Sequence, residues 1–295
     1  VSAAADHEIR PVLSAAPPAS RRIWLCADDY GMSPGVDRAI RQLAARERLN
    51  ATSVMVVAPA FERPEALQLA ILNGSKKRLA IGLHLTLTAP YRPLFENFAP
   101  LTPEGTFFPV GETLTKSVLR KFRRKLLIEE IEAQLAAFVA AFGHKPDFID
   151  GHQHVHLFPQ IGEALLVVMK QDVPGAWVRQ CGRVTPRARF ADRKGLLLDV
   201  LSYWFRSRAQ KLGVKFNPGF AGTYDFTPQA AFSNLFPGFL DGLPDGGVVM
   251  CHPGFVDDEL KRLDPLTDLR EKEYAYLVSE AFTDLLAARG IVLGT

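Results

Sequence analysis

From Ile23 onward, short apolar runs alternate with longer stretches in which apolar positions recur every three or four residues. The short runs predict β-strands at Ile23–Ala27, Thr52–Val57, Ala80–His84, Asp147–Gly151, Ala176–Arg179, Val214–Asn217, Val248–Cys251 and Ile291–Leu293. Helical patterns fall between most of them, at Gly35–Arg46, Glu62–Leu72, Thr113–Phe142, Gln160–Gln171, Arg193–Leu212, Pro228–Leu240 and Leu269–Arg289. Repeated strand–helix units with short connections predict a parallel sheet covered by helices. Seven or eight such units suit an α/β fold of the TIM-like (β/α)-barrel type better than a doubly wound sheet, although periodicity alone does not separate the two.

Two stretches break the rhythm. Thr88–Glu112 carries five prolines with Gly105 and Gly111 and reads as a long loop after the third strand, where barrel loops shape the substrate site. The helical stretch Thr113–Phe142 changes charge along its length and has a candidate interruption near its middle. Lys116, Arg120, Lys121, Arg123, Arg124 and Lys125 precede Glu129, Glu130 and Glu132. A solvated helix face is the reading that charge runs usually deserve, with an anionic substrate or partner as the alternative.

Composition narrows the class. A chain of 295 residues, 47% hydrophobic, can bury one large core, so residues 23–295 are expected to form a single barrel domain. Residues 1–22 are rich in Ala, Pro and Ser, lack the apolar core of a signal peptide, and are expected to be a flexible lead-in. Lys plus Arg number 35 against 32 Asp plus Glu, and a net charge of +3 gives no electrostatic reason to expect nucleic acid or a membrane surface. Apolar runs of about eight residues are too short for an integral membrane segment. Three unclustered cysteines, Cys26, Cys181 and Cys251, argue against a disulfide framework and point to a reducing compartment, the cytoplasm. Nothing in the chain specifies oligomeric state, and a homodimer is compatible with it.

The polar residues fall where barrel enzymes keep their chemistry, at the C-terminal ends of strands. Asp28 and Asp29 close the first strand and His84 the third; Asp150, His152, His154 and His156 follow the fourth; Arg179 ends the fifth, and His252 closes the seventh. Adjacent carboxylates at a strand end repel each other unless a cation or proton lies between them. A helix-capping role for them is weakened by Ser33-Pro34, which supplies a better cap. In an extended chain, His152, His154 and His156 would share one face, and spacing does not decide how many bind metal. One carboxylate and two imidazoles from separate strand ends leave coordination positions open, as catalytic metal sites require. A bound divalent ion would activate water, and the reaction would still need a base and an acid. No G-x-S-x-G, P-loop, G-x-G-x-x-G or H-E-x-x-H motif competes with this reading.

Four segments, Ala27-Asp28-Asp29-Tyr30-Gly31, Gly82-Leu83-His84, Asp150-Gly151-His152-Gln153-His154-Val155-His156 and Cys251-His252-Pro253-Gly254, resemble in order the YdjC-like carbohydrate deacetylases, which include chitooligosaccharide deacetylases. The resemblance runs from about Arg22 to Gly290. It implies a barrel that removes acetyl groups from N-acetylated amino sugars with one divalent metal ion, magnesium or zinc, held by Asp29, His84 and His152. It further implies Asp28 as the base, His252 as the acid and, more loosely, Arg179 as the residue that orients Asp28 or the small carbohydrate substrate. Gln153 departs from the family pattern, which often places a histidine there. Two other readings remain open on sequence. One is a hydrolase of the same fold acting on a glycosidic or phosphate ester bond; the other is a noncatalytic sugar- or metal-binding protein.

Overall fold

The computed structural model describes residues 20–73, 79–184, 193–227 and 229–294. Most of the expected lead-in therefore lies outside the described residues, and its last two, Arg21 and Arg22, already belong to the first strand. Nine strands are described: β1 (Arg21–Tyr30), β2 (Ala51–Val54), β3 (Ala80–Leu85), β4 (Phe148–Gly151), β5 (Trp177–Val178), β6 (Lys215–Phe216), β7 (Phe220–Ala221), β8 (Gly247–Cys251) and β9 (Ile291–Leu293). The helices through the middle of the chain are α1 (Pro34–Ala45), α2 (Arg63–Asn73), α3 (Val110–Val118), α4 (Arg124–Phe142), α5 (Pro159–Asp172) and α6 (Arg193–Leu212). Four more follow: α7 (Phe232–Phe239), α8 (Asp258–Leu263), α9 (Asp268–Val278) and α10 (Glu280–Ala288).

Eight strands pair in parallel in the order β6-β5-β4-β3-β2-β1-β8-β7, curled into a half-barrel, and β9 pairs with the first residues of β1. A parallel bridge from Arg183 to Phe220 reaches from the chain after β5 across to β7. The inner strands β2, β3, β4 and β8 are buried at every position. Strands covered on both faces need this continuous burial, which explains why they read as unbroken apolar runs. The core between sheet and helices packs Leu25, Ile81, Leu83, Ile149 and Val249 with Ile40, Phe138 and Leu165.

The structure departs from the pattern at interpretable places. The interruption expected near the middle of the Thr113–Phe142 stretch falls earlier, at Leu119–Arg123, where Arg120 takes a left-handed conformation at φ 54°. The stretch Leu269–Arg289 divides at Ser279, whose side chain accepts the Phe282 N–H and starts α10. The strand expected to end at Asn217 is followed, after Pro218 and Gly219, by β7, which sequence analysis did not predict. Asn217 extends the β5–β6 edge with its side chain: Oδ1 accepts the Gln180 N–H at 2.7 Å and Nδ2 donates to the Gln180 carbonyl at 3.1 Å.

The long loop after β3 is tied down by the acidic half of α4. The buried Glu130 accepts the N–H groups of Leu94 (3.2 Å) and Phe95 (2.8 Å), and Gln134 brackets Thr86 by its N–H and carbonyl. The expectation of a solvated face therefore fails at Glu130, because a loop backbone without a sheet partner needs acceptors from elsewhere.

Candidate metal centre

The register of the sheet brings the polar strand ends together. Asp28 and Asp29 lie at the end of β1, His84 in β3, and Asp150 in β4; His152 and Arg179 directly follow β4 and β5, and His252 follows β8. The β1–β2 register slips between Ala27 and Tyr30, and Asp29 sits in this irregularity at φ 72°. Aspartate tolerates the left-handed region better than most residues, and a bulge is a common device for re-aiming a side chain. Ser33, not either aspartate, caps α1 by accepting the Val36 N–H at 3.3 Å.

Asp29, His84 and His152 form one buried group of donor atoms within 4.8 Å of one another. Asp29 Oδ1 lies 3.0 Å from His152 Nδ1 and 3.3 Å from His84 Nε2. Bonds of about 2.0–2.1 Å around one small cation place neighbouring ligands at roughly these separations. The electrostatics point the same way. Burial pulls His84 down, but the Asp150 charge and hydrogen bonds to Asp150 and Asp29 outweigh it and raise the ring to about 10. The protein thus holds positive charge between His84 and Asp29, and a cation there would replace that proton. Burial pushes Asp29 up, but Arg270 and His152 more than compensate and keep its carboxyl well below the usual carboxylate range. This donor set can hold a metal ion.

Around this group runs a buried ionic network. Arg179 donates to both oxygens of Asp28, at 2.6 and 2.7 Å, and lies 2.5 Å from Asp150 Oδ2. Asp150 Oδ1 sits 2.6 Å from His84 Nδ1. On the far side, Arg270 donates to Asp29 Oδ2 at 2.7 Å and to Asp264 at 2.6 Å. A cavity of about 280 Å³ opens on the group, with Val110, Phe226, Met250 and Leu266 as its apolar wall and His252 also lining it. Burial pushes His252 down to about 4, and its Nδ1 is buried without a hydrogen-bond partner.

The three histidines after β4 do not share a face. The chain turns through a 3-10 segment at His152–Leu157, with Gln153 and His154 left-handed at φ 52° and 60°. A Cβ at Gly151 would lie 2.9 Å from His156 Nδ1, so this turn needs glycine. His152 joins the donor group, and His154 lines the cavity near Cys181. His156 is buried, lowered by burial to about 4, and donates Nε2–H to the Arg179 carbonyl at 2.9 Å.

Arg270, Asp264 and Glu273 join the site without having been expected from the sequence. Glu273 is fully buried; one oxygen accepts the Tyr224 hydroxyl at 2.6 Å and the other the His252 N–H at 2.5 Å. Burial raises its carboxyl to about 7 despite these bonds. With the folded value above the unfolded one of about 4.3, its contribution is fully present at acid pH and is lost as pH rises through about 7. In Glu273→Gln, stability measured by urea denaturation should fall less between acid and neutral pH than in the parent, by roughly 3 kcal/mol at most. A parent-like pH slope would contradict this assignment.

The sequence profile of the YdjC-like protein family matches residues 22–288. A chitooligosaccharide deacetylase of Escherichia fergusonii is 28% identical over 285 residues, covering 93% of this chain and 98% of the relative. Among solved structures, a protein of Enterococcus faecalis V583 provisionally assigned to cellobiose-phosphate cleavage superposes with a TM-score of 0.69 at 22% identity. That match covers 94% of this chain and 98% of the other.

Proposed function

The chain belongs to the YdjC-like protein family, and from that premise we propose that it is a hydrolase removing an acetyl group from N-acetylated amino sugars. The observation that carries this reading is the Asp29–His84–His152 donor group beside an Arg179-held Asp28, opening on one cavity. The named activity of the Escherichia fergusonii relative supports the substrate class.

In this reading Asp29, His84 and His152 would hold a divalent ion, zinc or magnesium, which polarises the acetyl carbonyl and makes water more acidic. Asp28 accepts the proton from the attacking water through lone pairs that Arg179 leaves free. Arg179 fixes the carboxylate in place with two parallel hydrogen bonds. His252 donates a proton to the departing amine; negative charge developing on the substrate favours protonation of its ring. The apolar wall of Val110, Phe226, Met250 and Leu266 suits the acetyl methyl and a sugar face. Two imidazoles favour zinc by ligand softness.

The test is acetate release from N-acetylglucosamine oligomers with and without chelator, followed by add-back of zinc or magnesium. Release that chelator abolishes and one metal restores is the expected result. A metal-loaded protein that releases no acetate, but cleaves a glycosidic or phosphate ester bond, would overturn the substrate assignment. Tight sugar binding with no turnover at all would make it a binding protein.

A further inference from the structure

The first three turns of α6 are apolar on the side that faces solvent. Leu198, Leu201 and Phe205 are buried against the barrel, while Leu196, Leu197, Val200, Tyr203 and Trp204 point outward. Tyr203 and Trp204 are 62% and 58% exposed. A helix apolar on both faces needs a second partner on its outer side. Val118 and Leu119, at the end of α3, are also exposed. They lie on the same side, because Glu163 of α5 takes Arg120 at 2.9 Å and lies 3.3 Å from Arg208 of α6. A depression of about 320 Å³ between α5 and α6, walled by Phe158, Leu201, Trp204 and Phe205, continues the apolar face.

This face is bordered by cations. Arg120, Lys121, Arg123, Arg124 and Lys125 are all exposed on the turn from α3 into α4, within the basic run whose usual reading is a solvated face, with an anionic partner as the alternative. Gln160, at the start of α5, pins that turn through both the N–H and the carbonyl of Phe122. The start of α5 follows the His152 turn, so the cations lie at the end of the barrel that carries the donor group. The net charge of +3 averages this local excess away.

We propose that the outer face of α6 with the α3–α4 turn docks on an anionic phospholipid bilayer. Tyrosine, tryptophan and leucine seated among Arg and Lys match the interfacial zone, where rings and methyl groups enter the headgroup boundary and cations meet lipid phosphates. A second copy of the chain fits this face less well. A twofold interface would pair this face with itself and so bring its Arg and Lys side chains no anionic lipid to meet. Among the described residues no helix is long and apolar enough to cross a membrane.

The experiment is sedimentation of the full chain with vesicles of phosphatidylcholine alone and of phosphatidylcholine mixed with phosphatidylglycerol. Binding is expected only to the mixed vesicles and should be reversed by high salt. Lys121→Glu with Arg124→Glu should weaken partitioning at least about tenfold, and Trp204→Glu should also weaken it. All these positions are exposed, and circular dichroism checks folding. As an independent readout, tryptophan emission should shift to the blue on mixed vesicles and lose that shift in Trp204→Phe, since Trp24 of β1 and Trp177 of β5 pack against each other within the sheet. Failure to sediment at low salt, or variants that bind like the parent, would overturn the proposal. So would self-association without lipid that Trp204→Glu abolishes, which would give the face to a second copy. No readout depends on turnover, so the proposal stands or falls separately from the deacetylase reading.

Discussion

Asp28→Asn is expected to retain metal and lose most turnover, by roughly 10²–10⁴-fold in kcat, the range for removing a general base. The separation follows from the geometry. Asp28 is not among the three clustered donors, and Arg179 keeps its second carboxylate partner, Asp150, when Asp28 loses its charge. One oxygen of Asp28 becomes an amide nitrogen beside an Arg179 nitrogen that now lies 2.6 or 2.7 Å from it. Two donors then face each other, so the side chain will shift locally without unfolding the site. The checks are kcat on an N-acetylglucosamine oligomer and metal content of the purified variant. Near-parent turnover would remove Asp28 as the base. Loss of metal together with turnover would make Asp28 part of the cation site instead.

The legible part of this site is the part carried by strand ends. Asp28, Asp29, His84 and His252 stand out because each interrupts or ends an apolar run that must be buried, where a polar side chain needs a specific reason. The half-barrel then brings them together across separations that sequence cannot measure. Arg270 gave no such signal. It reaches Asp29 across 241 residues, from a helix expected only as part of one long amphipathic stretch. Its clue is subtler: Arg270 and Glu273 share the buried side of α9 with Leu269 and Leu277, so two charges occupy core positions. Charged residues are seldom fully buried unless paired, and that spacing could have marked them. The histidine run misled for a local reason. Period two implies a shared face only while the backbone is extended, and left-handed Gln153 and His154 turn His156 into the core.

Asp150→Asn tests whether the arrangement behind the donors matters as much as the donors. The carboxylate of Asp150 bridges two cationic groups, with Oδ1 2.6 Å from His84 Nδ1 and Oδ2 2.5 Å from Arg179. Burial pushes Asp150 up, but Arg179 and His84 outweigh it and lower it to about 2, so it is charged at neutral pH. By accepting the Nδ1 proton it leaves His84 Nε2 free to face Asp29 and a cation, the usual role of a carboxylate behind a ligating histidine. Asparagine can present oxygen to only one neighbour. Facing His84, its amide opposes Arg179 donor to donor; facing Arg179, it leaves His84 Nδ1–H only the Ser53 hydroxyl, 2.9 Å away, as acceptor. Metal affinity, read by titration calorimetry, should fall about 10–100-fold. The metal-free protein should lose up to about 3–5 kcal/mol in urea, toward the low end because Asp28 still holds Arg179. Ser53→Ala, which removes only the hydroxyl 2.9 Å from the same Nδ1, should change both far less. If Asp150→Asn binds metal as the parent does, packing and the Ser53 hydroxyl suffice to orient His84. If it loses stability but not affinity, Asp150 serves Arg179 and not the cation.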